Sequence, residues 1–154
     1  MVEILTQEFA AKAADQIQKA ALIADKSVSI AVVDTAGILI YFTKGKNTGA
    51  LTPDTAQAKA RAAASFSLAG NQMAKLAESN PFWSHLPAVT AGRALPTGGS
   101  APFIIKGLTI GAVGIAGATP EVDQEYADIG ASYLQNLDDL VCRVSDLQKL
   151  DRAP

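Results

Sequence analysis

The segment between Pro102 and Asp123, PFIIKGLTIGAVGIAGATPEVD, constrains the fold of this chain more than any other stretch. It predicts a strand over Phe103–Ile105, a turn at Lys106-Gly107, and a second strand rich in glycine and alanine that ends before a helix at Thr119-Pro120. A strand with so little side-chain volume usually marks a close approach to the backbone by a helix, another subunit or a flat ligand. We favour packing against a helix or a subunit.

The glycine spacing in this strand excludes a dinucleotide-binding loop. Gly111, Gly114 and Gly117 recur at every third position inside the strand, whereas that loop requires G-x-G-x-x-G between a strand and a helix. The acidic residue expected about twenty positions later would lie in a helix and not at the end of a second strand. The sequence therefore does not predict a nucleotide-binding fold.

The rest of the chain predicts helices that alternate with a second pair of strands. Threonines are predicted to cap three of the helices, because their hydroxyls can accept hydrogen bonds from free helix N–H groups. The predicted helices are Gln7–Ala24 capped by Thr6, Thr52 to about Leu68 capped by Thr52, Gln72–Ala77, and a last helix from Pro120 towards Lys149 capped by Thr119. The other strands are Ser27–Val33 and Ile38–Thr43, joined as a hairpin, and Glu78–Gly99 is predicted to be a long covering loop.

This order, α-β-β-α-(α)-β-β-α, predicts an α+β fold in which helices flank an antiparallel sheet. At 154 residues the chain fits one domain, residues 1–154. The single cysteine, Cys142, is predicted to be a buried thiol of the last helix.

Composition and charge narrow the possible partners and the location. The net charge is −2 and the basic residues form no stripe, so nucleic acid is not an expected partner. No apolar run is as long as a membrane span, and the start of the chain lacks the features of a signal peptide. We therefore expect a cytoplasmic protein without membrane contact.

Four segments together resemble the haem-degrading-domain family, which groups GlcG-like proteins, HbpS-like proteins and the C-terminal domain of PduO-type proteins. Family members carry the patterns SIAVVDxxG, KAR or KTA, PGG-x-PI and GAxGVSGATPEQD. The corresponding segments here are SIAVVDTAG at Ser29–Gly37, KARAAA at Lys59–Ala64, TGGSAPFI at Thr97–Ile104 and GAVGIAGATPEVD at Gly111–Asp123. The resemblance spans roughly residues 5–140.

The resemblance implies a profilin-like fold that assembles into homo-oligomers, often octamers. It also implies that haem is a possible cofactor or ligand, since some members bind haem and some degrade it, while others belong to catabolic operons. The chain departs from the family pattern at Thr97, which replaces a proline, at Ala62, which replaces a threonine, and by one extra residue between Gly99 and Pro102. Its first helix also lacks the histidine that some haem-binding relatives carry.

The only histidine, His85, follows Phe82 and Trp83 in the segment NPFWSHLP. These aromatic residues could form the rim of a pocket in which His85 binds a haem iron or acts as a general base. The alternative is an idle histidine in solvent or at a subunit contact. With one histidine and one distant cysteine, the sequence predicts no zinc site.

Lys59 and Arg61 are candidates for binding a carboxylate or a haem propionate. Residues two apart on a helix point about 200° apart, so they are not expected to share one target. We favour Lys59 as the residue that faces the site, because Ala63 and Phe66 continue its helix face.

Other polar candidates each have a structural alternative. Asp34, a candidate for ligand binding, can instead bond the backbone of its own turn. Glu121 and Asp123, candidates for catalysis, can instead complement the dipole of the last helix. If the two carboxylates of the last helix face a cleft, they could transfer a proton. Gly98 and Gly99 could cradle an anion with their N–H groups or could simply form a turn.

Two functions remain open from the sequence. The first is an oligomeric small-molecule-binding protein that takes haem or another flat or carboxylated ligand where the glycine-rich strand, Lys59 and the TGG segment meet. The second is a cofactor-free lyase, hydratase or isomerase of a small organic acid. In that enzyme Lys59 or Arg61 would anchor a carboxylate, and Glu121, Asp123 or His85 would move a proton.

Overall fold

The structure of the protein, a computed structural model, describes residues 5–133 and residue 136. The elements are α1 (Gln7–Ile23), β1 (Ser29–Asp34), β2 (Leu39–Thr43), α2 (Thr52–Phe66), α3 (Gly70–Ala77), α4 (Pro81–Val89), β3 (Ser100–Ile105), β4 (Leu108–Ala116) and α5, residues 120–133. The predicted continuation of the last helix towards Lys149, which includes Cys142, lies outside the described residues. No helix of the described part has the length and apolar character needed to cross a membrane.

The four strands form one antiparallel sheet in the order β2-β1-β4-β3, which confirms the predicted α+β class. The β1–β2 turn has Gly37 at φ +75°, and the β3–β4 turn has Lys106 at +49° and Gly107 at +77°. Two-residue turns with positive φ match the twist of antiparallel strands, which explains the tight connection of β3 to β4.

Alternation along β4 separates the two faces of the sheet by side-chain size. Val113 and Ile115 are fully buried in the core cluster that includes α1 and the start of α5. Ala112, Gly114 and Ala116 point to the opposite face, which α2 covers. Successive side chains of a strand point to opposite faces, so one face carries large residues and the other carries small ones.

The small face allows α2 to lie almost directly on the strand backbone. A Cβ atom added at Gly114 would contact the Ala56 carbonyl oxygen and the Ala60 amide nitrogen, both backbone atoms of α2. The buried face of α2 is itself mainly alanine, so the helix brings little side-chain volume to the contact. The sequence favoured packing of the glycine-rich strand against a helix or a subunit, and the structure shows packing against the helix α2.

The predicted loop over Glu78–Gly99 was wrong in its middle part, which folds as α4. Asn80 caps this helix by accepting a hydrogen bond from the Phe82 amide at 3.0 Å, and Pro81 lies in the first turn, where its missing N–H costs nothing. Trp83 and Leu86 are three residues apart and bury the inner face of the helix. Of the three prolines between Glu78 and Gly99, Pro81 lies at the start of this helix and Pro87 lies inside it.

The predicted caps were right for two helices and wrong for one. The Thr6 and Thr119 hydroxyls accept hydrogen bonds from the Phe9 and Val122 amides at 3.2 and 3.3 Å. The residue preceding α2 is Leu51, which provides no side-chain cap. The Thr52 hydroxyl instead lies 2.9 Å from the Ser29 hydroxyl and donates to the Gly49 carbonyl at 2.8 Å, so it ties the helix start to β1.

Candidate functional site

Lys59 and Asp123 form a buried ion pair between α2 and α5. The Lys59 Nζ lies 3.0 Å from Asp123 Oδ2 and donates a second hydrogen bond to the Ile115 carbonyl of β4 at 2.9 Å. Both residues are almost fully buried, with exposures of 5% and 2%. Asp123 Oδ1 accepts from the Ala118 amide at 3.0 Å, so both carboxylate oxygens have partners. The pair therefore joins a helix, a strand and the start of a second helix.

The TGG segment closes over this ion pair. Gly99 has φ +114°, and a Cβ atom there would lie 2.8 Å from both Lys59 Nζ and Asp123 Cβ. Its amide already donates to Gln124 Oε1 at 3.0 Å, and Gly98 is buried against Pro120. The predicted junction of Lys59, the glycine pair and the glycine-rich strand therefore exists, but it is filled by the chain's own atoms.

Gln124 is a central residue of this junction that the sequence analysis missed. Its Oε1 also accepts from the Asn71 amide at 3.1 Å, and its Nε2 donates to the Ser100 carbonyl and to Asp128 Oδ1, both at 2.9 Å. The side chain links the start of α3, the start of β3 and α5. A glutamine beside an aspartate on a helix carries no sequence signal for such a role.

An open groove of about 430 Å³ lies beside the buried junction. Glu121 is exposed here, together with Lys75 of α3 and Glu78, which follows α3, and the buried Gly98 of the TGG segment also lines the groove. Glu121 is therefore the one predicted proton-transfer residue of α5 that reaches solvent, because Asp123 is held by Lys59.

His85 lies on the exposed side of α4, three residues after Phe82, which belongs to a small aromatic cluster. Trp83 is buried, Phe82 is 53% exposed, and both rings pack edge-on against Phe66, with centroids 4.8 Å and 5.9 Å away. His85 Nδ1 lies 2.7 Å from the Pro81 carbonyl. A carbonyl can only accept, so Nδ1 carries the proton and the Nε2 lone pair is the free coordinating atom of the neutral ring.

Arg61 lies in a different groove, of about 490 Å³, that it shares with Arg93. Arg61 is partly exposed, and its Nε donates to the Gly37 carbonyl of the β1–β2 turn at 3.3 Å. Arg93 follows α4 in the segment predicted as loop, and the sequence analysis did not single it out. Val89, at the end of α4, also lines this groove and is 80% exposed.

Asp34 holds the β1–β2 turn together. Its Oδ1 accepts from the Ala36 amide at 2.8 Å and the Ile38 amide at 3.0 Å, the local bonding considered from the sequence. The structure thus brings Lys59, Asp123, Gly98 and Gly99 together, places His85, Phe82 and Trp83 on α4, and puts Arg61 near the Asp34 turn.

Replacing Asp34 with alanine is expected to lower the free energy of unfolding by about 1–2 kcal/mol, because two turn amides lose their acceptor. Ligand affinity should stay unchanged if the role of Asp34 is only structural. Urea unfolding together with a haemin titration separates these roles, and Thr35→Ala, an exposed neighbour, is the control. A loss of affinity without a loss of stability would instead support the predicted ligand-binding role of Asp34.

Comparison with known proteins shows that the chain matches a known family. The sequence model of a family described as "Haem degrading protein HbpS-like" matches residues 5–132. None of the curated proteins matches the chain significantly.

Solved structures share the fold over most of their length. A double mutant of HbpS from Streptomyces reticuli is 33% identical, with a TM-score of 0.75 over 84% of this chain and 86% of that chain. The Klebsiella pneumoniae protein ORFY is 24% identical, with a TM-score of 0.79 over 85% and 90%. A complex of PduOC with haem is 19% identical, with a TM-score of 0.75 over 83% and 93%. The two more distant structures support the fold alone.

Proposed function

Because this chain belongs to the family of HbpS-like haem-degrading proteins, we propose that it binds haem or a related flat, carboxylated ligand. The observation that carries the proposal is the hydrogen bonding of the His85 ring. Its Nδ1 is held by the Pro81 carbonyl, and its Nε2 is left for a metal ion on an exposed helix face. Metal-binding histidines usually have this second hydrogen bond, which fixes the tautomer and the ring orientation.

The surroundings of His85 fit the apolar face of a porphyrin. Phe82 is half exposed on the same helix, and its ring packs edge-on against Trp83 with centroids 5.2 Å apart. Aromatic side chains provide a large contact area for a flat ligand at little conformational cost. Haem, when bound, would supply an iron centre for ligand or redox chemistry, and His85 would hold the iron through Nε2.

A haemin titration tests this proposal. We expect saturable, stoichiometric binding with a sharpened Soret band, and at least about a tenfold loss of affinity in His85→Ala, because one coordinate bond is lost. Ala88→Ser is the matched control, since Ala88 is an exposed residue of the same helix. Equal binding by His85→Ala and the wild-type protein would exclude His85 as the iron ligand.

A flat, unsaturable response to haemin would exclude haem binding and favour the small-acid enzyme. In that case Glu121 is the first residue to replace, because it is the predicted proton-transfer residue that faces an open groove. Turnover of a small carboxylate substrate that is lost in Glu121→Gln while binding of the carboxylate is retained would support this alternative.

We also expect the protein to assemble as a homo-oligomer, and the family resemblance points to an octamer. Exposed apolar side chains support assembly because they would be covered in an interface. The most exposed are Leu22, Ile23, Leu51, Val89 and Leu108. Light scattering after size-exclusion chromatography measures the subunit number directly, and a monomer at micromolar concentration would contradict this expectation.

A further inference from the structure

Arg61 and Arg93 reach the same groove because a short segment folds back onto α2. After α4, Ala91 and Gly92 take left-handed backbone angles, φ +53° and +76°, and reverse the chain. The Leu95 amide then donates to the Ala58 carbonyl of α2 at 3.1 Å. This hydrogen bond fixes the segment that carries Arg93 beside the helix that carries Arg61.

The groove has two positive charges and no negative one among the residues that line it. Its lining consists of Ala36, Gly37, Arg61, Ser65, Val89, Thr90, Ala91, Arg93 and Ala94. Within residues 5–133, neither guanidinium forms an ion pair, whereas Lys12, Lys19 and Lys59 each pair with a carboxylate. Two arginines that line one groove without a neighbouring carboxylate favour an anionic occupant.

Two hydrogen bonds fix the orientation of the Arg61 guanidinium. Its Nε donates to the Gly37 carbonyl, and its Nη2 donates to Gln57 Oε1 at 3.2 Å, while Gln57 Nε2 donates to the Pro53 carbonyl at 3.1 Å. These contacts occupy the side edge of the guanidinium. Within residues 5–133 no acceptor contacts Nη1 or the second Nη2 hydrogen, and together these form the end edge of the guanidinium, which can bind both oxygens of a carboxylate.

We propose that Arg61 and Arg93 form a two-point anion site that takes a molecule carrying two carboxylates. Arg61 provides a preoriented contact and the exposed Arg93 provides an adjustable one. The site is adjacent to His85 along α4, since Val89 lines the groove and lies one helical turn, about 6 Å, after His85. The identity of the ligand rests on the proposed function, because haem carries two carboxylates. The existence of the anion site does not depend on the proposed function.

The test compares haemin with its dimethyl ester, which has the same iron and ring but no free carboxylates. We expect Arg61→Gln and Arg93→Gln each to weaken haemin binding about tenfold, because each removes a charge-assisted hydrogen-bonding partner. Lys75→Gln, which removes the same charge at an exposed position in the other groove, should have no such effect. Binding of the ester should be equal in all four proteins.

Failure of this inference is distinguishable from failure of the proposed function. Haemin binding unaffected by both arginine variants, or ester binding weakened as much as haemin binding, would overturn the two-carboxylate site. If the wild-type protein does not bind haemin at all, an NMR titration with citrate tests by itself whether the anion site exists. Saturable shifts of the Arg93 Nε–H signal that vanish in Arg61→Gln support the site, and the absence of such shifts in the wild-type protein overturns it.

Discussion

Replacing Lys59 with methionine is expected to lower the free energy of unfolding by about 3–5 kcal/mol, because Asp123 would keep a buried charge without its partner. For a domain of this size each kcal/mol corresponds to about 2–4 °C in the melting temperature. The loss should therefore be visible as a drop of roughly 10 °C in differential scanning calorimetry. The Ile115 carbonyl would also lose its hydrogen bond from the ammonium.

Two further variants show whether the buried charge is the cause. Lys12→Met removes an ion pair with Glu8 whose side chains are 52% and 77% exposed, and it should leave the melting temperature almost unchanged because water and salt screen an exposed pair. The double variant Lys59→Met/Asp123→Leu should recover most of the stability, because it removes both charges. A change of less than about 1 kcal/mol in Lys59→Met would contradict the expectation.

The double variant also tests the predicted ligand-binding role of Lys59. The structure engages the ammonium with Asp123 and Ile115, so binding a ligand carboxylate would require it to leave both. A folded double variant that binds haemin like the wild-type protein would make Lys59 and Asp123 purely structural. Weakened haemin binding by the folded double variant would indicate that Lys59 and Asp123 belong to the ligand site.

Replacing Gly114 with valine is expected to prevent folding or to cost about 3 kcal/mol or more. The new Cβ atom would meet the backbone of α2 at Ala56 and Ala60, and backbone cannot turn aside as a flexible side chain can. Gly114→Ala gives a measurable intermediate if the valine variant does not fold. Urea unfolding of both variants provides the measurement.

Gly49→Ala is the matched control for the Gly114 variants. Gly49 is exposed, and a Cβ atom there would touch only the Thr52 methyl group, at 3.9 Å. The substitution should change the free energy of unfolding by less than about 0.5 kcal/mol. If Gly114→Val and Gly49→Ala unfold at the same urea concentration, the close contact between α2 and β4 is not required for stability.

The sheet could be predicted from the sequence because its signals are local. Turn residues such as Gly37 and Gly107 mark hairpins, and the small residues of β4 indicate a close neighbour. The missed helix, α4, depends on a proline at its start and on burial of Trp83 against Phe66. Burial of this kind is decided by tertiary packing, which overrides the local preference of prolines for loops.

The geometry of the candidate site could be predicted only in part. Residue types singled out Lys59, Arg61, His85 and Asp123, but the pairing of Lys59 with Asp123 joins positions 64 apart in the chain. Arg93 lines the same groove as Arg61 because of a left-handed turn at Ala91, a backbone conformation that alanine rarely adopts and that the sequence does not indicate. Contacts of this kind become visible only when the chain is folded.

The contact between α2 and β4 is made by residues that have no rotamers to exchange. Alanine and glycine lose no side-chain entropy when they are buried, so this layer forms without that cost. For the same reason it cannot absorb a misfit by changing a side-chain angle, and a bulkier residue must displace the whole helix. Because α2 carries both Lys59 and Arg61, such a rigid displacement would disturb the ion pair and the arginine groove together. Stability and ligand affinity should therefore decline in parallel when this layer is substituted.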